Sequence, residues 1–198
     1  HDDGRLVATA CRAGFVFKMF AIDLDYQGGG LLGELLTELM RLGRDAGHDV
    51  FWVFTRPDGV ASFTPFHFRL LATSGRAALL EHGGGFERWW EERASLVRPG
   101  RNGACVINGN PFTLGHLYLV EQAARRVDTL FRFVVREDRS AFPFEVRRRL
   151  AERAVAHIPD VVVTDTSRYA VSAGTFPSYF LKRLDVAALE QMRLDLQL

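Results

Sequence analysis

Lysine is almost absent from this chain: Lys18 and Lys182 are the only two, and the other basic residues are Arg. Cysteine is equally scarce. Cys11 and Cys105 form no C-x-x-C pair, which argues against a disulfide scaffold or a redox motif and makes a reducing cytoplasm the default setting. No His/Cys cluster has zinc spacing, so no metal is expected on the protein itself. There is no G-x-S-x-G elbow and no cysteine patterned beside a histidine, which removes the common nucleophile constellations. Charge of one sign is lacking too. A formal net charge of +1 carries no basic excess of the kind that binds nucleic acid. No apolar run reaches about 18 residues, so no transmembrane helix and no membrane partner are expected. No signal peptide is visible, and no repeat or low-complexity segment is found. The chain opens on His rather than Met, and the expectation is a piece truncated at both ends.

What is present is enough for one good core or two small ones. Phe15–Ile22 is apolar and aromatic and predicts a strand. The glycine turn Gln27-Gly28-Gly29-Gly30 follows. Leu31, Leu32, Leu35, Leu36, Leu39, Met40 and Leu42 then give a broad apolar helix face. Gly47 stops that helix, and Asp49–Thr55 predicts a buried strand. This is a βαβ-like piece. Phe63 to Leu71 fits a strand or a short helix equally well. Ala77–Glu81 is a short strand or a turn, and Phe86–Ala94 a helix anchored by Trp89 and Trp90. The breaker cluster 98–103 is the expected linker between domains at 1–97 and 104–198.

The second half centres on Ala104–Glu121. Ala104, Val106 and Ile107 predict a buried strand with Cys105 as a small apolar filler. Asn108-Gly109-Asn110-Pro111 is a turn. From Leu117, Val120 and Ala124 onward the period is helical. A helix N-terminus offers unpaired N–H groups and a partial positive charge, which suit a phosphate. Gly115 permits close backbone approach, and Thr113 and His116 are three residues apart, on one side of the first turn. His116 is then a phosphate contact or a satisfied core histidine. Thr113 is a phosphate contact or a plain helix cap, and Asn110 and Pro111 shape the turn. Leu130–Val135 and Val161–Thr164 predict further strands. Phe144–Ala156 predicts a helix with Arg147, Arg148 and Arg149 on its solvent side. In a parallel sheet the loops after the strands share the ligand-binding edge. They carry Asp138 and Ser140 (a site or a solvated pair), and Ser172, Thr175 and Lys182 (a site or a capped loop). Arg125-Arg126 and Arg147–Arg149 are solvated faces or a surface for an acidic carrier protein.

T-x-G-H after N-P-F is a variant of the H-x-G-H signature of the nucleotidyltransferase superfamily. The longer string NPFTLGHLYLVEQA, with VREDRSAFPFEVR and SRYAVSAGTFPSYFLK, resembles the citrate lyase ligase family. The first half resembles the GNAT acetyltransferases through Gln27, Gly28 and Gly30, with Leu32 where Gly or Ala is usual. It begins one strand before that motif. The resemblance implies an α/β protein: a partial GNAT-like domain followed by a Rossmann-like parallel-sheet nucleotidyltransferase domain, incomplete at its C-terminus. It implies an ATP-dependent ligase that activates acetate as acetyl-AMP and acetylates the thiol of the citrate lyase acyl-carrier prosthetic group. ATP would come with Mg²⁺. In that enzyme His116 and Thr113 are catalytic. Asn110, Pro111, Gly115, Ser172, Thr175 and Lys182 bind ATP. Gln27, Gly28 and Gly30 form a turn or an acetyl-CoA loop. The superfamily's second, Arg-containing signature is not found. The alternatives are a cofactor adenylyltransferase of the pantetheine-phosphate type, a GNAT acyltransferase, and a non-catalytic binding fragment.

Overall fold

The computed structural model describes residues 4–136 and 141–169. The class is α/β, and the chain divides into two compact units, one running through Glu87 and the other starting at Arg88.

The first unit holds strands β1 (Ala8–Ala13), β2 (Val16–Ile22), β3 (Phe51–Thr55), β4 (Arg69–Thr73) and β5 (Ala78–His82), with helices α1 (Leu31–Asp45) and α2 (Val60–Phe63). The sheet order is β1-β2-β3-β5-β4. β2 and β3 are parallel, with α1 as their crossover, and the other pairs are antiparallel. The βαβ piece is therefore present. β1 is a correction, because two strands and not one precede the glycine turn. Its sequence, ATACRA, alternates only between half-buried and exposed positions, so it has no apolar run to announce it. The ambiguous Phe63–Leu71 stretch is a helix and then a strand. Phe63 is buried in α2, Phe66 closes a 3-10 turn, and Phe68 is buried just before β4.

The core of this unit packs Leu36 and Leu39 of α1 onto Phe17, Phe51, Val53, Phe63, Phe68, Ala78 and Leu80. Leu42 is a correction, being 40% exposed at the rim of the helix. Two glycines let α1 lie close. A Cβ at Gly33 would press on the Phe66 ring, and one at Gly43 would collide with Phe51. Glu81 is buried and fully used. Its Oε2 accepts from Trp52 Nε1–H at 2.9 Å and its Oε1 from the Phe86 N–H at 2.8 Å.

Helix α3 (Gly85–Ala94) leads into the second unit, whose elements are β6 (Asn102–Ile107), α4 (Leu114–Ala124), β7 (Thr129–Val134), α5 (Phe144–Val155) and β8 (Val161–Asp165). All three strands are parallel in the order β6-β7-β8, with Cys105 opposite Arg132 and Arg132 opposite Val163. Ile107, Val120, Leu130 and Val155 form a small core, with Cys105, Phe112 and Leu117 packed against it. Trp89 anchors α3 by donating to the Asp165 carbonyl at 3.2 Å, and Arg93 pairs with the Asp165 carboxylate at 2.9 Å. Trp90, expected to anchor as well, is 58% exposed. Val106 is also a correction. It sits on the outward face of a strand that has one neighbour among the described strands, and is 60% exposed.

Candidate functional site

The carboxyl edge of the second sheet brings together the turn after β6, the end of β7 and the entry to α5. One side chain ties them. Arg147 was expected on the solvent side of α5, and the structure buries it completely. Its guanidinium donates to the carbonyls of Phe142 (2.9 Å), Asn108 (3.0 Å) and Val135 (2.7 Å), and to Asn108 Oδ1 (2.7 Å). Loop carbonyls at strand ends have no ladder partner, and a planar fork with five donors suits several at once. Arg148 is half-buried beside Glu152, while Arg149, Arg125 and Arg126 are exposed. Asn110 belongs to the same seam, its Oδ1 accepting from the Phe142 N–H at 3.0 Å. Pro111 follows it through a cis bond.

The turn delivers Thr113 as the N-cap of α4, with the Leu117 N–H returning to the Thr113 carbonyl at 3.1 Å. The His116 ring folds back onto the cap. Its Nδ1 accepts from the Thr113 N–H at 3.0 Å and lies 2.9 Å from Thr113 Oγ1. A backbone N–H has no other role, so Nδ1 is an acceptor and the neutral ring carries its proton on Nε2. His116 is half-buried, its ring tilted against Phe112 at 5.4 Å. It therefore offers an Nε2–H donor beside the start of the helix. Gly115 leaves that start open, since a Cβ there would meet only Thr113 Oγ1, at 3.8 Å. Thr113, Gly115 and His116 thus converge on one helix end, with Asn110 and Pro111 in the turn that leads to it. Ser172, Thr175, Lys182, Asp138 and Ser140 lie outside the described residues.

Beneath the turn lies Arg132, whose guanidinium carbon is 5.0 Å from the Phe112 ring centroid. Sequence reasoning passed over it, although a lone charge inside T-L-F-R-F-V was the available signal. Its ladder neighbour Cys105 is half-buried, and burial raises that thiol's pKa, so it stays protonated and supplies no counter-charge.

Residues 102–198 match the family model described as the citrate lyase ligase C-terminal domain. These residues carry the citrate lyase ligase C-terminal domain. The chain is 43% identical over 98% of its length to the [citrate [pro-3S]-lyase] ligase of Klebsiella pneumoniae, covering 58% of that protein. It is 35% identical over 99% of its length to the ligase of the same name from Escherichia coli K12, covering 56%. The Haemophilus influenzae ligase is 30% identical over the whole chain, with 60% of it covered. The chain thus spans little more than half the length of these relatives. Among solved structures, one described as an acetyltransferase from Agrobacterium tumefaciens aligns at 18% identity with a TM-score of 0.35, over 41% of this chain and 67% of that one. At that score the likeness carries no weight here.

The first unit has a cleft of its own. β2 and β3 pair only at Val16–Trp52 and Phe17–Val53 and then part. The opening, about 580 Å³, is lined by Phe20, Phe54, Thr55, Gln27, Gly28 and Leu32. Gly28 and Gly30 take positive φ values of 82° and 87°, and Gly30 caps α1. Gln27 is committed locally, its Nε2 donating to the Ile22 carbonyl at 3.2 Å. Leu32, which stands where Gly or Ala is usual, also lines the cleft. No helix among the described residues is long and apolar enough to cross a membrane.

Proposed function

We propose that this chain is the nucleotide-handling part of an ATP-dependent acid–thiol ligase acting on citrate lyase. An acetate oxygen attacks the α-phosphorus of ATP and pyrophosphate leaves, giving acetyl-AMP. The thiol of the acyl-carrier prosthetic group then attacks the acetyl carbon, AMP leaves, and the thiol proton passes to solvent. The observation that carries the reading is the pairing of the family match with an Nε2–H of His116 presented at an open helix N-terminus. Charge builds on the α-phosphate oxygens in the transition state. A fixed imidazole donor and the unpaired N–H groups of α4 stabilise it without reorganising. The Thr113 N–H and hydroxyl hold the ring, so Thr113 acts by orienting His116. Mg²⁺ would ride on the triphosphate. No group of His, Cys, Asp or Glu among the described residues has metal-binding geometry, and Mg²⁺ is commonly bound through substrate phosphates and water. Two free thiols suit a reducing, cytoplasmic setting.

The test is acetate-dependent exchange of pyrophosphate into ATP on the full-length protein. Exchange that needs acetate supports the ligase. Exchange that needs a phosphorylated pantetheine instead supports the adenylyltransferase. The parting of β2 and β3 favours a second reading for the first unit, an acyl-CoA cleft with Gln27, Gly28 and Gly30 at its mouth. Acetyl-CoA consumption that survives His116→Ala would support that reading.

A further inference from the structure

Arg132 is a buried cation with no hydrogen-bond partner among the described residues. It is 0% exposed, and none of its three guanidinium nitrogens has a hydrogen-bond partner among the described residues. Burial lowers its pKa to about 10, so it remains charged at neutral pH. An unsatisfied buried donor is costly and an unsatisfied buried charge more so, so such a group calls for an explanation. Its position supplies one. One of its terminal nitrogens lies 3.1 Å from where a Cβ on Gly109 would stand. The guanidinium is therefore pressed against the underside of the turn that delivers the α4 N-terminus. Phe112 covers it at 5.0 Å, and the same ring leans on His116 at 5.4 Å. Phe112 thus touches both the unpaired cation and the ring that carries the Nε2–H donor.

We propose that Arg132 is held in reserve for the nucleotide: the Phe112 ring moves off it when ATP binds, and a phosphate oxygen takes the freed guanidinium. This rests on the nucleotide reading above and adds to it a residue and a motion. A phosphate has enough oxygens to meet the helix N–H groups, the imidazole and a guanidinium together. The planar guanidinium fork suits phosphate better than a point charge does.

The experiment measures Mg·ATP binding by calorimetry, and melting without ATP, on the full-length protein as wild type, Arg132→Met, Arg132→Lys and Phe112→Ala. Arg132→Met is expected to lose about tenfold or more in ATP affinity, yet to melt no lower than wild type, because it removes an unpaired charge. Arg132→Lys keeps the charge without the fork and is expected to fall between the two. Phe112→Ala is expected to bind ATP at least as tightly as wild type, since no ring has to move. Unchanged ATP affinity in Arg132→Met overturns the proposal and leaves the nucleotide reading standing. Failure of Arg132→Met to fold, or a large drop in its melting temperature, also overturns it, because the residue is then structural. If the wild type itself binds no ATP, the nucleotide reading falls, and this proposal falls with it.

Discussion

The first unit packs Phe17, Phe51, Phe63 and Phe68 under Leu36 and Leu39, and its buried carboxylate Glu81 bonds through both oxygens. The second unit has a core of four small aliphatic side chains and sinks two guanidiniums beside it. One of those, Arg147, is bonded through loop carbonyls, and the other, Arg132, has no partner among the described residues. The contrast separates two uses of buried polarity. A satisfied group fixes a fold, and an unsatisfied one is strain the fold tolerates, of the kind found where a ligand binds.

Several measurements would break that contrast or sharpen it. The largest effect is expected for Phe51→Ala, which empties the notch at Gly43 and should cost the first unit about 3–5 kcal/mol in urea unfolding followed by Trp fluorescence. A small loss would mean that the aromatic core is not what holds this unit. His116→Ala should raise the barrier to acetyl-AMP formation by about 2.7–4 kcal/mol, while removing the Nδ1 acceptor at the cap costs only about 0.5–2 kcal/mol of stability. Equal losses in rate and stability would make His116 a structural residue. Gly115→Ala sharpens the comparison by opposing signs. A methyl in that open space should stabilise α4 by about 0.5–1 kcal/mol and weaken ATP binding, read by melting and calorimetry together. The smallest effect is a pH dependence of the first unit. Burial, with Arg44 and His67 nearby, holds the His82 pKa below its ordinary value, so the folded state favours the neutral ring. That contribution is present above the unfolded value of about 6.5 and is lost as pH falls through the lower folded value. Urea midpoints should drop on acidification, and His82→Phe should flatten the drop.

The sequence made the crossover elements legible because their patterns are strong and local. The leucines of α1, the run at β3 and the helical period after Thr113 needed no distant partner to be read. β1 was missed because its residues are only half-buried, and alternation that weak is invisible without the neighbouring strand. Phe63–Leu71 was ambiguous because it contains both a helix and a strand within nine residues. Arg147 was misread because three consecutive arginines look solvated, and its burial depends on carbonyls near positions 108, 135 and 142. Thr113, Gly115 and His116 were grouped by spacing within one turn, and the structure places them together at the start of α4. Arg132 could only be understood across the ladder, beneath a turn more than 20 residues earlier in the chain.

The bonding of Arg147 has a mechanical consequence. One guanidinium rivets the segment after β6, the exit of β7 and the approach to α5, so none of these slides without the others. A tug on the Asn108 backbone is passed directly to the first residues of α5. The sheet edge therefore responds to force as a single plate, and a displacement of the turn after β6 is carried to the far loop through one planar group.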